Sequence, residues 1–269
     1  MVINTALPNP VQLILNRINA LGISYGREDS FKLTHRQLIQ NRVLIGIDIA
    51  LLPAATMFDI AYALGMPADC QKLLEAHRPQ ANLVLFGIED RAEGSVCKLY
   101  LEFWDQVRRE VLRTGSMAPQ LLHLGVKWDP TRPNHHEVAR YTCFPLLSAV
   151  DAMRRMASLY PQVPADRGSE AALGIVRRSL KANPAASLLY LEVSEDANPR
   201  CSFDINLYKT GLRVADAAPE LHQAARQFDI SVETLEQQLQ RFGPCLLGHL
   251  SGGTDRHGVE FLSVYAETV

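Results

Sequence analysis

The chain has 269 residues, 47% of them hydrophobic and 21% charged, enough apolar material to bury a sizeable core in one large domain or two ordinary ones. A formal net charge of -2 and a pI near 6.4 give no electrostatic case for a nucleic-acid or membrane-surface binder. Five scattered cysteines without a CxxC pair suit a reducing compartment. The opening MVINTALPNP has no basic n-region, and no segment approaches about 18 uninterrupted apolar residues, so the expectation is a cytoplasmic protein without signal peptide or membrane span.

In chain order, Val11, Ile14, Leu15 and Ile18 recur at helical spacing over Pro10 to Leu21, and Gly22 supplies a stop. Ser30 to Leu38 and Arg42 to Leu51 read as a first strand pair. Pro53 to His77 reads as two helices broken at Gly65-Met66-Pro67. Asn82 to Glu89 and Val96 to Trp104 form a second strand pair, followed by a helix over Asp105 to Arg113 that ends at Gly115. Gln120 to Trp128 and Glu137 to Phe144 are the third pair, separated by the turn-rich DPTRPNHH. Helices are predicted over Leu146 to Tyr160 and Ser169 to Lys181, with Pro161 and Pro164 between them. Ser187 to Ser194 and Cys201 to Lys209 are the fourth pair. Helical stretches over Pro219 to Phe228 and Ser231 to Phe242 precede the last pair, Cys245 to Ser251 and Val259 to Glu267.

Five short hairpins require antiparallel neighbours, because a parallel crossover needs a dozen or more residues. The predicted class is therefore α+β in a single domain: a ten-stranded antiparallel β-barrel surrounded by α-helices, with an open ten-stranded sheet as the alternative. Side chains alternate across a strand, so if the apolar faces meet the helices the other faces line the interior. That places Arg42 and Asp48, then Lys98, Tyr100 and Glu102, on the inner surface. His123 with Lys127, Arg140 with Thr142, and Tyr190 with Glu192 follow. Asp204, Asn206 and Tyr208 come next, then His249 with Ser251 and Ser263 with Tyr265. A one-residue slip reverses a whole face. The assignments of Lys98, Tyr100, Asp204 and Tyr208 stand on the cleanest alternation.

Cations beside tyrosines and carboxylates suggest a defined chemistry. The cations would clamp a polyanion such as diphosphate through charge-assisted hydrogen bonds. Tyrosine rings would screen and stabilise a carbocation, and carboxylates would orient an acceptor or take its proton. The repeated hairpins, the Lys98-Leu99-Tyr100 pattern and the stretches FKLTHRQLIQNRVLIGID, NLVLFGIEDRAEGSVCKLYLEF, SLLYLEVSEDANPRCSFDINLY and GVEFLSVYAE resemble the ABBA-type prenyltransferases. The closest similarity is to the compact peptide prenyltransferases of cyanobactin biosynthesis. The resemblance implies that Arg42 and Lys98, with Lys127 or Arg140, hold an isoprenoid diphosphate, and that Tyr100, Tyr190, Tyr208 and Tyr265 form the cation shield.

Asp204 and Asn206 stand where larger aromatic prenyltransferases tend to carry a basic residue, and the last strand offers Ser263 and Tyr265 without a cation. The implied anion clamp is thinner, which favours assistance by Mg²⁺, although no DDxxD run exists and no metal ligands are assigned. The remaining acids, Asp48, Glu102, Glu192 and Asp204, are the candidate acceptor-side groups. Several carboxylates around one cavity suit a cationic acceptor, so an arginine of a linear or macrocyclic peptide is the raised acceptor. The alternatives are a small aromatic metabolite as acceptor, or a non-catalytic barrel for a hydrophobic ligand. His135-His136 read as a surface turn, and Gly252-Gly253 as hairpin residues rather than a phosphate loop.

Overall fold

Each predicted strand pair forms an antiparallel hairpin in the computed structural model, which describes residues 9–91, 94–132, 135–160 and 168–268. The strands are β1 (Gly26–Thr34), β2 (Gln37–Asp48), β3 (Leu83–Arg91), β4 (Gly94–Glu102), β5 (Gln120–Trp128), β6 (His136–Cys143), β7 (Leu189–Glu195), β8 (Cys201–Asn206), β9 (Leu247–Thr254) and β10 (Glu260–Glu267). Neighbours in sequence are neighbours in space, and β1 pairs with β10 from Glu28↔Glu267 to Thr34↔Phe261, so the sheet closes into a barrel. Closure removes the exposed edges that an open sheet of this width would present. Met1–Pro8, Ala92-Glu93, Pro133-Asn134 and 161–167, which include the predicted breakers Pro161 and Pro164, lie outside the described residues.

The first hairpin turns earlier than the sequence suggests. His35 and Arg36 make the turn, Arg36 adopts the left-handed region at φ 58°, and Leu38 belongs to β2. Neither residue carries the Gly or Asn that usually marks such a position, so local chemistry hides the turn.

The helices are α1 (Pro10–Ala20), α2 (Ala54–Ala63), α3 (Asp69–His77), α4 (Trp104–Thr114), α5 (Ala149–Ser158), α6 (Ser169–Ala182), α7 (Ala218–Gln227) and α8 (Val232–Phe242). Side-chain caps start three of them: Asn9 accepts from the Val11 amide at 3.0 Å, and Ser148 and Ser231 do the same for α5 and α8. Gly115, at φ 63°, ends α4. Helices α1–α3 bury Ile14, Ile18, Met57, Ile60 and Leu74 against the outer faces of β2–β5, including Ile45, Phe86, Leu99 and Val126. Helices α5–α8 bury Met156, Ile175, Leu221 and Leu235 against Phe31, Phe203, Leu250 and Val264 on the other half. Truncating a fully buried phenylalanine such as Phe86 or Phe203 costs about 3–5 kcal/mol, so these outer faces hold the barrel's shape.

Helix α4 is different. Its Val107 and Val111 pack against Leu122, Cys143, Leu189 and Leu191. Cys143 and Leu191 are register partners and share their face with Tyr141, which points into the lumen. Helix α4 therefore covers part of one barrel end, while its arginine-bearing side faces outward.

Candidate active site

The lumen holds two cavities of ≈ 390 Å³ and ≈ 680 Å³, and Arg42, Lys98, Tyr100, Tyr141 and Tyr265 line both. These five side chains form the boundary between an acidic chamber at the α4 end and a cationic chamber toward the opposite end. Tyr100 meets Tyr141 edge-on with centroids 5.6 Å apart, and Tyr141 meets His123 at 5.4 Å. Arg42 lies over the Tyr265 ring, 5.3 Å from its centroid, and donates to its hydroxyl at 3.2 Å. Burial pushes the Tyr100 phenol well above its ordinary range, raises Tyr265, and takes Tyr141 up to about 12, so all three rings are neutral at physiological pH.

The cationic chamber is built on two buried carboxylates. Glu89 receives Arg42 at 3.2 Å, Lys98 at 2.8 Å and Arg91 at 2.6 Å. Burial alone would raise the Glu89 carboxyl, but these cations hold it well below the usual carboxylate range. Glu195 is likewise paired with Lys127, with Arg200 at 2.7 Å and more distantly with Arg256 at 3.9 Å, and they overcome its burial in the same direction. Lys32 adds a further cation, 3.8 Å from Asp255. Burial brings Lys32 and Lys98 down to about 8 against the pull of Glu89. Two buried polar atoms of this chamber, Arg42 Nη1 and Ser263 Oγ, have no hydrogen-bond partner. Orphaned donors of this kind are costly unless a ligand completes them.

The acidic chamber carries Glu28, Glu102, Asp204 and Glu267. Glu102 receives His123 Nε2 at 2.9 Å. Asp204 receives His249 Nδ1 at 2.7 Å, and His249 Nε2 lies 3.8 Å from Glu28, which also accepts from the Tyr208 hydroxyl at 2.5 Å. Burial would lower the His249 imidazole, yet Asp204 and Glu28 raise it to about 9. Leu44, Leu83 and Leu85 give this chamber an apolar wall from β2 and β3.

Of the residues predicted from sequence, Arg42, Lys98, Lys127, Tyr100, Tyr265, Glu102 and Asp204 share the lumen. Tyr208 also reaches it, from a 3₁₀ turn just beyond β8 rather than from the strand. Four assignments are corrected. Arg140 lies on the outer face and pairs with Asp196, because Glu137, Ala139 and Tyr141 are the inward residues of β6. Tyr190 and Glu192 also point outward: Tyr190 is buried beside Phe144, and Glu192 receives Arg155 of α5 at 2.8 Å. Strand β7 inverts the usual rule, since its apolar Leu189 and Leu191 face inward to meet α4. Asp48 has the inward register of its partner Leu83, but it stands at the exposed strand end, accepts from the Ala50 amide at 2.9 Å, and lines neither chamber.

Sequence reasoning missed Glu28, Lys32, Glu89, Tyr141, Glu195 and Arg200. Extending β1 back to Gly26 exposes the alternation of Glu28, Ser30 and Lys32 against buried Phe31 and Leu33, which is a usable signal. Arg200 continues the inward face of Ser202 and Asp204 one step into the turn.

The two buried hub acids, Glu89 and Glu195, are not available to Mg²⁺. The buried acids of the cationic chamber are already enclosed by cations, and among the described residues no group of three His, Cys, Asp or Glu side chains is placed to hold a metal ion. Among the same residues no helix is long and apolar enough to cross a membrane.

No family model matches the sequence, and comparison with curated proteins finds no match. Solved structures do match. AnaPT from Neosartorya fischeri aligns over 91% of this chain and 78% of its own, with a TM-score of 0.57 and 14% identity. NotF in complex with brevianamide F and DMSPP aligns over 91% and 80%, with a TM-score of 0.52 and 11% identity. The 6-dimethylallyltryptophan synthase from Micromonospora olivasterospora, in complex with DMASPP and Trp, aligns over 90% and 81%, with a TM-score of 0.50 and 11% identity. The chain thus has the fold of the ABBA prenyltransferases, a closed ten-stranded antiparallel barrel ringed by helices.

Proposed function

We propose that this protein transfers a prenyl group from an isoprenoid diphosphate to a nucleophilic acceptor inside the barrel. The observation that carries the reading is the division of one lumen by neutral tyrosines into a cationic chamber and a carboxylate chamber. The diphosphate would lie among Arg42, Lys98, Lys127, Lys32 and Arg200, where Arg42 Nη1 lacks a partner. Hydrogen bonds to charged groups contribute about 1.5–3 kcal/mol each, and they strengthen as negative charge builds on the leaving oxygen. The allylic carbon–oxygen bond breaks, and its electron pair leaves with the diphosphate. The resulting cation rests on the faces of Tyr100, Tyr141 and Tyr265, which exclude water and stabilise positive charge. The acceptor atom bonds to the allylic carbon, and its proton passes to Glu28 or Asp204.

An aromatic acceptor bearing an N–H suits the smaller chamber best: its ring would lie on Leu44, Leu83 and Leu85 with the N–H toward Glu28. Two proteins of the same fold hold brevianamide F and Trp in their complexes, which supports this choice. A second reading, an arginine of a linear or macrocyclic peptide, is favoured by the excess of carboxylates. Glu28, Glu102, Asp204 and Glu267 line the chamber, while its Arg27 is already paired with Asp29 at 2.8 Å. A guanidinium docks on carboxylates in bidentate fashion, and the resemblance to cyanobactin-type enzymes agrees with such a substrate.

The test offers dimethylallyl and geranyl diphosphate with tryptophan, indole, phenols and Arg-, Trp- or Tyr-containing peptides, read by mass gain and diphosphate release. Transfer is expected to persist in EDTA, since the side-chain cations neutralise the leaving group. No diphosphate release with any pair, with or without Mg²⁺, would refute the reading and leave a non-catalytic barrel.

A further inference from the structure

We propose that His249 is a positioning residue of the acceptor chamber: its ring clamps Asp204 and Glu28 together as the carboxylate pair that faces the acceptor. This rests on the prenyl-transfer reading for its catalytic consequence, but the clamp itself is a property of the barrel wall. Asp204 stands on β8 and Glu28 on β1, with β9 and β10 between them. Three strand spacings of about 4.8 Å separate such residues along the sheet, too far for both to serve one small ligand unless something draws them inward. His249 on β9 does so. Its Nδ1 donates to Asp204 Oδ1 at 2.7 Å, while its Nε2 faces Asn206 Nδ2 at 3.2 Å and lies 3.8 Å from Glu28 Oε1, an ion-pair distance rather than a hydrogen bond.

The backbone beside His249 is shaped for this contact. The β9–β10 register shifts between Tyr265 and Ala266, which leaves Gly248 without a strand partner at a bulge. A Cβ on Gly248 would stand 2.6 Å from Tyr208 Cζ and 2.7 Å from Glu28 Oε1. Only a residue without a side chain lets Tyr208 reach Glu28, where its hydroxyl donates at 2.5 Å. Glu28 is thus held by the Tyr208 hydrogen bond, with the His249 imidazole at ion-pair distance on its other side. The groups facing the imidazole are Asp204 and Asn206 from β8, Glu28 from β1, Tyr208, Tyr265 from β10 and, across the lumen, Glu102 from β4. Asp204 and Glu28 dominate that set and raise the imidazole to about 9, which favours the charged ring beside the two carboxylates. Its service is to place one imidazole against both carboxylates.

The experiment compares wild type with His249→Asn, which removes the charge, and His249→Lys, which restores a cation. With the transfer assay, H249N should lower kcat roughly 10- to 100-fold. The donor KM should stay within about two-fold, because the diphosphate chamber lies elsewhere. The acid limb of the pH–kcat profile should move up by about one pH unit as the carboxylates lose their cation. H249K should recover part of both effects. An unmoved acid limb, an equal rise in donor KM, or no recovery by lysine would overturn the assignment. A readout without turnover keeps it testable if H249N does not fold or no acceptor is found: the imidazole of His249 is titrated by NMR in wild type and in Asp204→Asn. The midpoint should fall by at least one pH unit in D204N, and an unchanged midpoint would show that no clamp exists. Failure of diphosphate release in wild type, with the titration behaving as expected, would defeat the prenyl-transfer reading and leave the clamp standing.

Discussion

Gly125→Ala is the sharpest test of how the passage between the two chambers is built. Tyr100 lies flat over the backbone of β5, and a Cβ on Gly125 would stand 2.1 Å from its Cδ1 and 2.4 Å from its Cε1. Ordinary contact begins near 3.4 Å, so the ring or the strand must shift by more than about 1 Å. The ring has little freedom, because it is buried and its neighbour Tyr141 meets it edge-on with interplanar angle 88°. Overpacking of this kind costs about 1–3 kcal/mol. For a chain of this length that corresponds to a fall in Tm of roughly 2–10 °C, readable by calorimetry. The attribution to Tyr100 is checked by a double-mutant cycle with Tyr100→Ala, which removes the obstructing ring. The penalty of G125A should shrink by at least about 1 kcal/mol in that background. Strict additivity of the two substitutions would refute the reasoning, since it would mean that Tyr100 does not occupy the space a methyl needs.

Three further outcomes follow from the geometry of the lumen. Glu89→Gln should destabilise the protein by about 3–5 kcal/mol, because Arg42, Lys98 and Arg91 lose their shared counter-charge. Inorganic diphosphate should restore much of that loss in a thermal melt, and a melt indifferent to diphosphate would count against an anion site here. Arg200→Ala should raise donor KM at least about ten-fold while Arg140→Ala leaves it unchanged, since only Arg200 lines the lumen; equal effects in steady-state kinetics would reverse the assignment. Lys32 and Lys98 are held at about 8 against an ordinary lysine value of 10.5, so their share of folding stability is fully present above 10.5 and is lost as pH falls toward 8. Binding of an anion runs the opposite way: it favours the protonated lysines, so diphosphate affinity should weaken as pH rises through about 8. Calorimetry in buffers of different ionisation enthalpy should detect proton uptake at pH 8, and its absence would exclude these lysines from the site.

The legibility of this barrel varied strand by strand. In β4 the alternation of Cys97, Leu99 and Leu101 with Lys98, Tyr100 and Glu102 is clean, and the inward face follows from it directly. Strand β6 reads HEVARYTC, in which neither face is decidedly apolar, so Arg140 and Tyr141 compete for the lumen and only pairing with β5 decides between them. Strand β7 misleads for a physical reason. Its inward residues meet an apolar helix at the barrel end, while its outward Glu192 finds an arginine on α5, so hydrophobicity points the wrong way. The carboxylate hubs were hidden for another reason. Glu89 and Glu195 sit near the ends of their strands, where charge usually means solvent, and only three-dimensional closure encloses each with cations from several strands.

The seam between β1 and β10 has a consequence for how the molecule comes into being. Contacts between Glu28 and Glu267, or Ser30 and Tyr265, join residues separated by most of the chain. Such long-range pairings form slowly, because loop-closure entropy is lost before any contact rewards it. During synthesis the first nine strands emerge before their closing partner, and until β10 docks the charged lumen faces are open to water. Tyr265 and Glu28 flank that seam, so neither chamber acquires its full wall until the last hairpin is in place. A nascent or nicked chain lacking β10 would therefore expose an unpaired β1 edge and have no assembled site, which makes ligand binding a stringent report on completed folding.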